Sequence, residues 1–206
     1  MRILITAGPT HEPMDPVRFI GNRSTGKMGA ALIESSLKAA HLTTAIVGPI
    51  SEPLPTGARR INVQTARQML DAVLVEFPRH DLLIMAAAVA DYRPATTSPH
   101  KLPRQGAWTL NLEPTQDILA EAGFIKRPDQ RTVGFSLESG PDLDRVRGKM
   151  RQKNVDLMVY NPVATIASDS IQPSLLYPAG RVETVECRSK ADFADMLLQR
   201  AVELFE

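Results

Sequence analysis

The chain carries a single cysteine, Cys187, so none of its 206 residues can be joined by an intrachain disulfide. It has no apolar run of membrane-spanning length and no visible signal peptide. These absences lead to the expectation of a protein of the reducing cytoplasm. No charge of one sign dominates either. The 24 Lys and Arg residues face 23 Asp and Glu, for a formal net charge of +1. That argues against a broadly basic nucleic-acid-binding protein, though not against a local cationic pocket. Internal repeats and low-complexity tracts are missing, and His11, His41, His80 and Cys187 have no metal-ligand spacing.

What is present is the composition of a globular domain, with 43% hydrophobic and 23% charged residues, enough to bury a sizeable core in one domain spanning 1–206. Arg2 to Ala7 is a short apolar run that reads as a buried first strand, broken by Gly8-Pro9. From Lys27, the residues Met28, Leu32, Ile33 and Leu37 recur at helical spacing. Thr43–Val47, Arg60–Val63 and Asp81–Ala86 read as further strands, with a helix from Thr65 to about Phe77 between the last two. Trp108–Leu112, Arg131–Phe135 and Leu157–Tyr160 read as strands, and Asp117–Gly123 and Leu143–Lys153 as helices. Leu175–Tyr177 and Val182–Val185 suggest a terminal hairpin, before a last helix capped by Ser189. The alternation predicts an α/β fold: a three-layer, Rossmann-like, mostly parallel sheet. Residues 93–107 break the rhythm with Pro, Thr, Ser and basic residues. A connection this long is expected to be a mobile lid.

The stretch Gly21 to Gly29, GNRSTGKMG, nearly spells a P-loop. Met28 stands where a hydroxyl should hold Mg²⁺, and the segment lies well downstream of the first strand instead of following it at once. Ser24-Thr25-Gly26 nevertheless opens a helix, whose free N–H groups and positive end make an anion site. A plain N-cap is the alternative reading. Ala86 to Arg93 is a strand running into a small-residue turn, which lets a flat ligand approach the backbone. Asp91 there could bind a ribose hydroxyl or a metal, or simply cap a turn. His100 to Arg104 places cations in the lid, and Lys149 and Lys153 share one helix face. Solvated surface is the alternative for both sets.

Taken together, Ile5 to Gly29 and Ala86 to Arg93 closely resemble bacterial phosphopantothenoylcysteine synthetase, also called phosphopantothenate–cysteine ligase. The resemblance spans nearly the whole chain and weakens after Gly134. It implies the ligase half of a coenzyme A biosynthesis protein, with a flavin-dependent decarboxylase as a separate partner. The implied reaction joins 4′-phosphopantothenate to cysteine through an acyl-cytidylate, using CTP and Mg²⁺. Carried over by position, Asn22 would contact the acyl intermediate and donate its amide to an oxyanion, and Arg18 and Asn161 would bind substrate. Ser24, Thr25 and Gly26 would form the anion-binding helix start. Ala87, Asp91, Phe135, Lys149 and Lys153 would contact the nucleotide, and Lys101 would be the catalytic lid lysine. The resemblance also implies a homodimer paired through a small β-rich arm from the second half.

This sequence departs from the family pattern in its second half. The lid reads Lys101-Leu102-Pro103-Arg104, losing two lysines; Gly134 to Ser139 reads GFSLES; Tyr160-Asn161-Pro162 lacks the acid that usually follows the asparagine; and Thr165 to Gln172 keeps only Ser168-Asp169 of its motif. A non-catalytic nucleotide-binding paralogue is therefore a second reading. A Rossmann-type NAD(P)-dependent reductase is a third, but it lacks its glycine fingerprint and the acid ending strand two.

Overall fold

The computed structural model describes residues 1–104, 106–138, 142–162, 173–187 and 189–206. Eight strands form one central sheet: β1 (Arg2–Ala7), β4 (Leu42–Val47), β5 (Arg59–Asn62), β6 (Leu82–Met85), β9 (Arg131–Glu138), β10 (Leu157–Pro162), β11 (Ser174–Leu176) and β12 (Val182–Thr184). Their order is β12-β11-β10-β9-β6-β1-β4-β5. The six strands from β10 to β5 are parallel, and β11 and β12 add an antiparallel hairpin at one edge. That hairpin, expected from sequence, continues the central sheet.

Strand β1 is buried on both faces because helices cover both. Ile3, Ile5 and Ala7 join the core beneath α1 (Lys27–Lys38) and α5 (Lys190–Val202), whereas Leu4 faces α2 (Ala66–Glu76), α3 (Ile118–Ile125) and α4 (Leu143–Gln152). This is the three-layer arrangement that continuous apolar strands demand. The α2 start is a full capping box, in which Thr65 accepts from Gln68 N and the Gln68 side chain returns to the Thr65 backbone. Asp117, Asp142 and Ser189 cap α3, α4 and α5 with their side chains.

Two small hairpins stand apart from the sheet: β2 (His11–Pro13) with β3 (Phe19–Gly21), and β7 (Tyr92–Pro94) with β8 (Leu112–Pro114). The first replaces what the sequence suggested was loop. The second moves the expected strand at Trp108–Leu112 to Leu112–Pro114, which lies directly opposite Tyr92–Pro94. The lid expected at 93–107 starts inside β7, which holds Arg93 and Pro94, and runs on into the connection toward β8.

Helix α1 leads from β1 to β4 on one side, while β6 returns to the other side of β1. The strand order therefore reverses between β1 and β6, and open α/β sheets bind ligands outside the carboxyl ends of their strands at such a point. The two exits stay bridged here: Ala88 N donates to Gly8 O at 2.9 Å and Thr10 N to Ala88 O at 3.3 Å.

Candidate active site

A cleft of about 730 Å³ opens above this reversal. Its floor is the turn Ala86–Val89, held by two buried threonines. Thr6 Oγ1 accepts from Ala87 N at 3.2 Å, and Thr10 Oγ1 accepts from Ala90 N at 2.9 Å. Small residues and main chain thus form the surface, and a flat ligand can lie against it.

One wall is the start of α1. Its N-cap is Gly26, in the left-handed region at φ 83°, with no capping side chain. Glycine reaches this φ without a steric penalty. The opening N–H groups of a helix have no intrahelical partner, and here Gly26 to Gly29 line the cleft. The plain N-cap reading of Ser24 and Thr25 is thereby corrected, since the cap is Gly26; Thr25 Oγ1 accepts only a long 3.4 Å bond from Lys27 N. Gly29 brings α1 down onto β1: a Cβ there would stand 2.4 Å from Ala7 Cβ.

Asn22 leaves β3 and enters the cleft. Its Nδ2 donates to Val89 O at 2.8 Å and to Ala88 O at 3.4 Å. Both neighbours are carbonyls, so the orientation of the amide is fixed by hydrogen bonding. The expected oxyanion contact would draw on these same N–H groups. In this conformation the amide hydrogens hold the β3 exit to the floor, and the group left for a ligand is the acceptor Oδ1.

Across the cleft stand Phe135 from β9, Asn161 from β10, and Lys149 and Lys153 from the end of α4. Lys153 Nζ lies 2.7 Å from Asp117 Oδ2, while the other oxygen of Asp117 caps α3 at Ala120 N. Asn161 Oδ1 is buried and has no hydrogen-bond partner among the described residues. Such a group has lost its water without gaining a partner, a cost a ligand donor would relieve. Among the described residues, five cationic side chains line the cleft (Arg23, Lys27, Lys149, Lys153 and Lys190) against two carboxylates, Asp91 and Asp117. The chemistry favoured is binding of a polyanion.

Of the residues singled out by sequence, the cleft gathers Asn22, Ser24, Thr25, Gly26, Ala87, Asp91, Phe135, Lys149, Lys153 and Asn161. Arg18 and Lys101 are not in its lining. The guanidinium of Arg18 is spent on Asp15 and on Leu102 O, and Lys101 is exposed in the adjoining loop. Ser168-Asp169 falls outside the described residues. Sequence reasoning missed Lys190, the first residue of α5, and Asp117 as a partner of Lys153. The only signal for Lys190 was its place after the Ser189 cap.

The model of the DNA/pantothenate metabolism flavoprotein C-terminal domain matches residues 1–204. The chain belongs to this family. It is 40% identical over 208 residues to the coenzyme A biosynthesis bifunctional protein CoaBC of Bacillus subtilis, covering 98% of this chain and 51% of that protein. The crystal structure of a CoaBC C-terminal domain superimposes with a TM-score of 0.83 at 33% identity, over 97% of this chain and 92% of the other. A Cab2 variant in complex with phosphopantothenate-cysteine gives a TM-score of 0.82 over 98% of this chain and 85% of that one; at 19% identity it speaks for the fold alone. The chain spans about half the length of the curated CoaBC relatives that it matches. This C-terminal-type domain contains no described helix long and apolar enough to cross a membrane.

Proposed function

We propose that this domain is a phosphopantothenate–cysteine ligase working through an acyl-nucleotide intermediate, with CTP as the nucleotide. The observation that carries the reading is the cleft itself. A glycine-capped helix start, Asn22 and five cations meet at the strand-order reversal, in a chain 40% identical to a CoaBC protein.

A carboxylate oxygen of 4′-phosphopantothenate attacks the α-phosphorus of CTP, and the bond to pyrophosphate breaks. The amine nitrogen of cysteine then attacks the acyl carbon, loses a proton, and expels CMP as the amide forms. Both steps concentrate negative charge on oxygen, so fixed donors and cations stabilise their transition states. The α1 start and Lys27 face the reacting phosphate. Lys149 and Lys153 neutralise the polyphosphate, with Lys153 exchanging Asp117 for the ligand. Phe135 offers a ring face to the base. Lys101 contributes its charge from the β7–β8 loop. Asn22 Oδ1 accepts a hydrogen from the incoming amine and orients its lone pair.

Among the described residues no three His, Cys, Asp or Glu side chains converge on a metal-ion position. Mg²⁺ is commonly held by one or two carboxylates together with substrate phosphates. Asp91 is the carboxylate that would hold it, and the ion would offset phosphate charge. The proposal extends to a homodimer and to a flavin-dependent decarboxylase partner in a cytoplasmic pathway. Exposed Val17, Phe19, Tyr92 and Leu112 on the two hairpins support a self-associating surface.

The test is pyrophosphate release from purified protein with phosphopantothenate and each nucleoside triphosphate, with and without cysteine. Release with CTP, and phosphopantothenoylcysteine formation once cysteine is added, is expected. No release with any nucleotide overturns the ligase reading, and preferential release with ATP overturns the choice of CTP.

A further inference from the structure

Asp15 lies in the turn between β2 and β3, outside the cleft, with its side chain fully buried. Its carboxylate takes five donors. Oδ1 accepts from Val17 N at 2.8 Å and Arg18 N at 2.7 Å. Oδ2 accepts from Arg18 Nε at 2.9 Å, Arg18 Nη2 at 2.5 Å and Leu102 N at 3.1 Å. Arg18 Nη2 also donates to Leu102 O at 2.7 Å. The peptide groups of Leu102, next to Lys101, are therefore gripped on both their donor and acceptor sides. The Arg18 guanidinium holds the Asp15 carboxyl far below the usual carboxylate range, so the grip is charged throughout the physiological pH range.

A turn-stabilising aspartate needs only the two local N–H bonds. The bond to Leu102, 87 residues away, has no such purpose. It is reinforced by Ser98 N to Met14 O at 2.9 Å and Thr97 Oγ1 to Pro13 O at 3.1 Å. The same hairpin continues from β3 into Asn22, which is bonded to the cleft floor. One small element is thus tied to the site at its exit and to the Lys101 loop at its turn.

We propose that Asp15 is a positioning residue: with Arg18 it fastens the loop at Leu102 and so fixes where Lys101 is held relative to the cleft. Without that anchor the nearest ties to the hairpin are those at Thr97 and Ser98, and the added conformational freedom dilutes the Lys101 ammonium group over more positions. What Lys101 does there rests on the ligase reading; where the loop is held does not.

The test compares wild type, Asp15→Asn, Lys101→Ala and the double variant. Hydrogen exchange should show protection of the Leu102 amide falling about tenfold or more in Asp15→Asn, with circular dichroism unchanged. Pyrophosphate formation should fall in Asp15→Asn, and the double variant should be no slower than Lys101→Ala alone. Unchanged protection at Leu102, or losses that multiply in the double variant, overturns the proposal. Arg18→Lys keeps the charge but removes the second bond to Leu102; it gives the same exchange test if Asp15→Asn does not fold. If wild type releases no pyrophosphate, the ligase reading falls and the exchange result alone decides the anchor.

Discussion

Gly29 offers a sharp probe of how α1 serves the cleft. In Gly29→Ala the added methyl would stand 2.4 Å from Ala7 Cβ and 2.9 Å from Ala7 Cα. Carbon atoms in ordinary contact lie about 3.5–4.0 Å apart, so helix and strand must part by about 1 Å. No rotamer change can relieve this, because every atom involved is fixed to backbone. Overpacking of this kind costs about 1–3 kcal/mol, a fall in Tm of about 5 °C for a domain this size. The kinetic effect should be larger. A shift of about 1 Å in a group facing the reacting centre can cost roughly a hundredfold in rate. Calorimetry and the initial rate of pyrophosphate release measure the two effects. Gly148→Ala, in α4 with nothing within 4 Å of the new methyl, is the control. It should gain about 0.5–1 kcal/mol of stability and keep its rate. A Gly29→Ala protein with wild-type Tm and wild-type rate would refute the claim that close α1–β1 packing sets the site.

Asn22→Asp places a carboxylate against Val89 O and Ala88 O. It should slow amide formation about 10–100-fold while nucleotide affinity changes little, measured by comparing nucleotide Kd with product formation; equal losses would contradict the role given to Asn22. Burial raises the Cys187 thiol above its ordinary value, and nearby Asp192 adds to the shift. Iodoacetamide should therefore label it more slowly at pH 8 than it labels free cysteine, as followed by mass spectrometry. The Glu183 carboxyl is lowered, chiefly by its hydrogen bond to Arg200, and Tyr177 and Arg181 also engage it. A lowered carboxylate stabilises the fold above its unfolded pKa, and that contribution is lost as pH falls through the folded value. Acid titration of Glu183→Gln should show lower stability at neutral pH and a shallower loss below pH 4.5 than wild type.

The parallel core was legible because its strands are apolar runs and its helices carry a 3.6-residue period. Arg2–Ala7 and Leu82–Met85 leave few alternatives. The two hairpins were not legible. Each strand has three residues, too few to display alternation, and Pro13, Pro94 and Pro114 lie at strand ends, where proline ordinarily signals loop. The site was legible wherever it is built from continuous chain, as in Asn22 to Gly26. Lys190 and the Lys153–Asp117 pair come from elements that meet only after the sheet has formed. Sequence likewise gave no sign that Asn22 would turn its amide hydrogens toward the floor, because the carbonyls that receive them belong to Ala88 and Val89.

The floor of the cleft is made of peptide groups bridged between Gly8, Thr10 and Ala88, with threonine hydroxyls beneath them. Peptide groups are common to all residue types, so single substitutions change this surface chiefly through bulk. A homologue that acquired a taste for another ligand would have to do so with the side chains around the rim, at positions such as Phe135, Asn161 and Lys190, and would inherit the same bedrock.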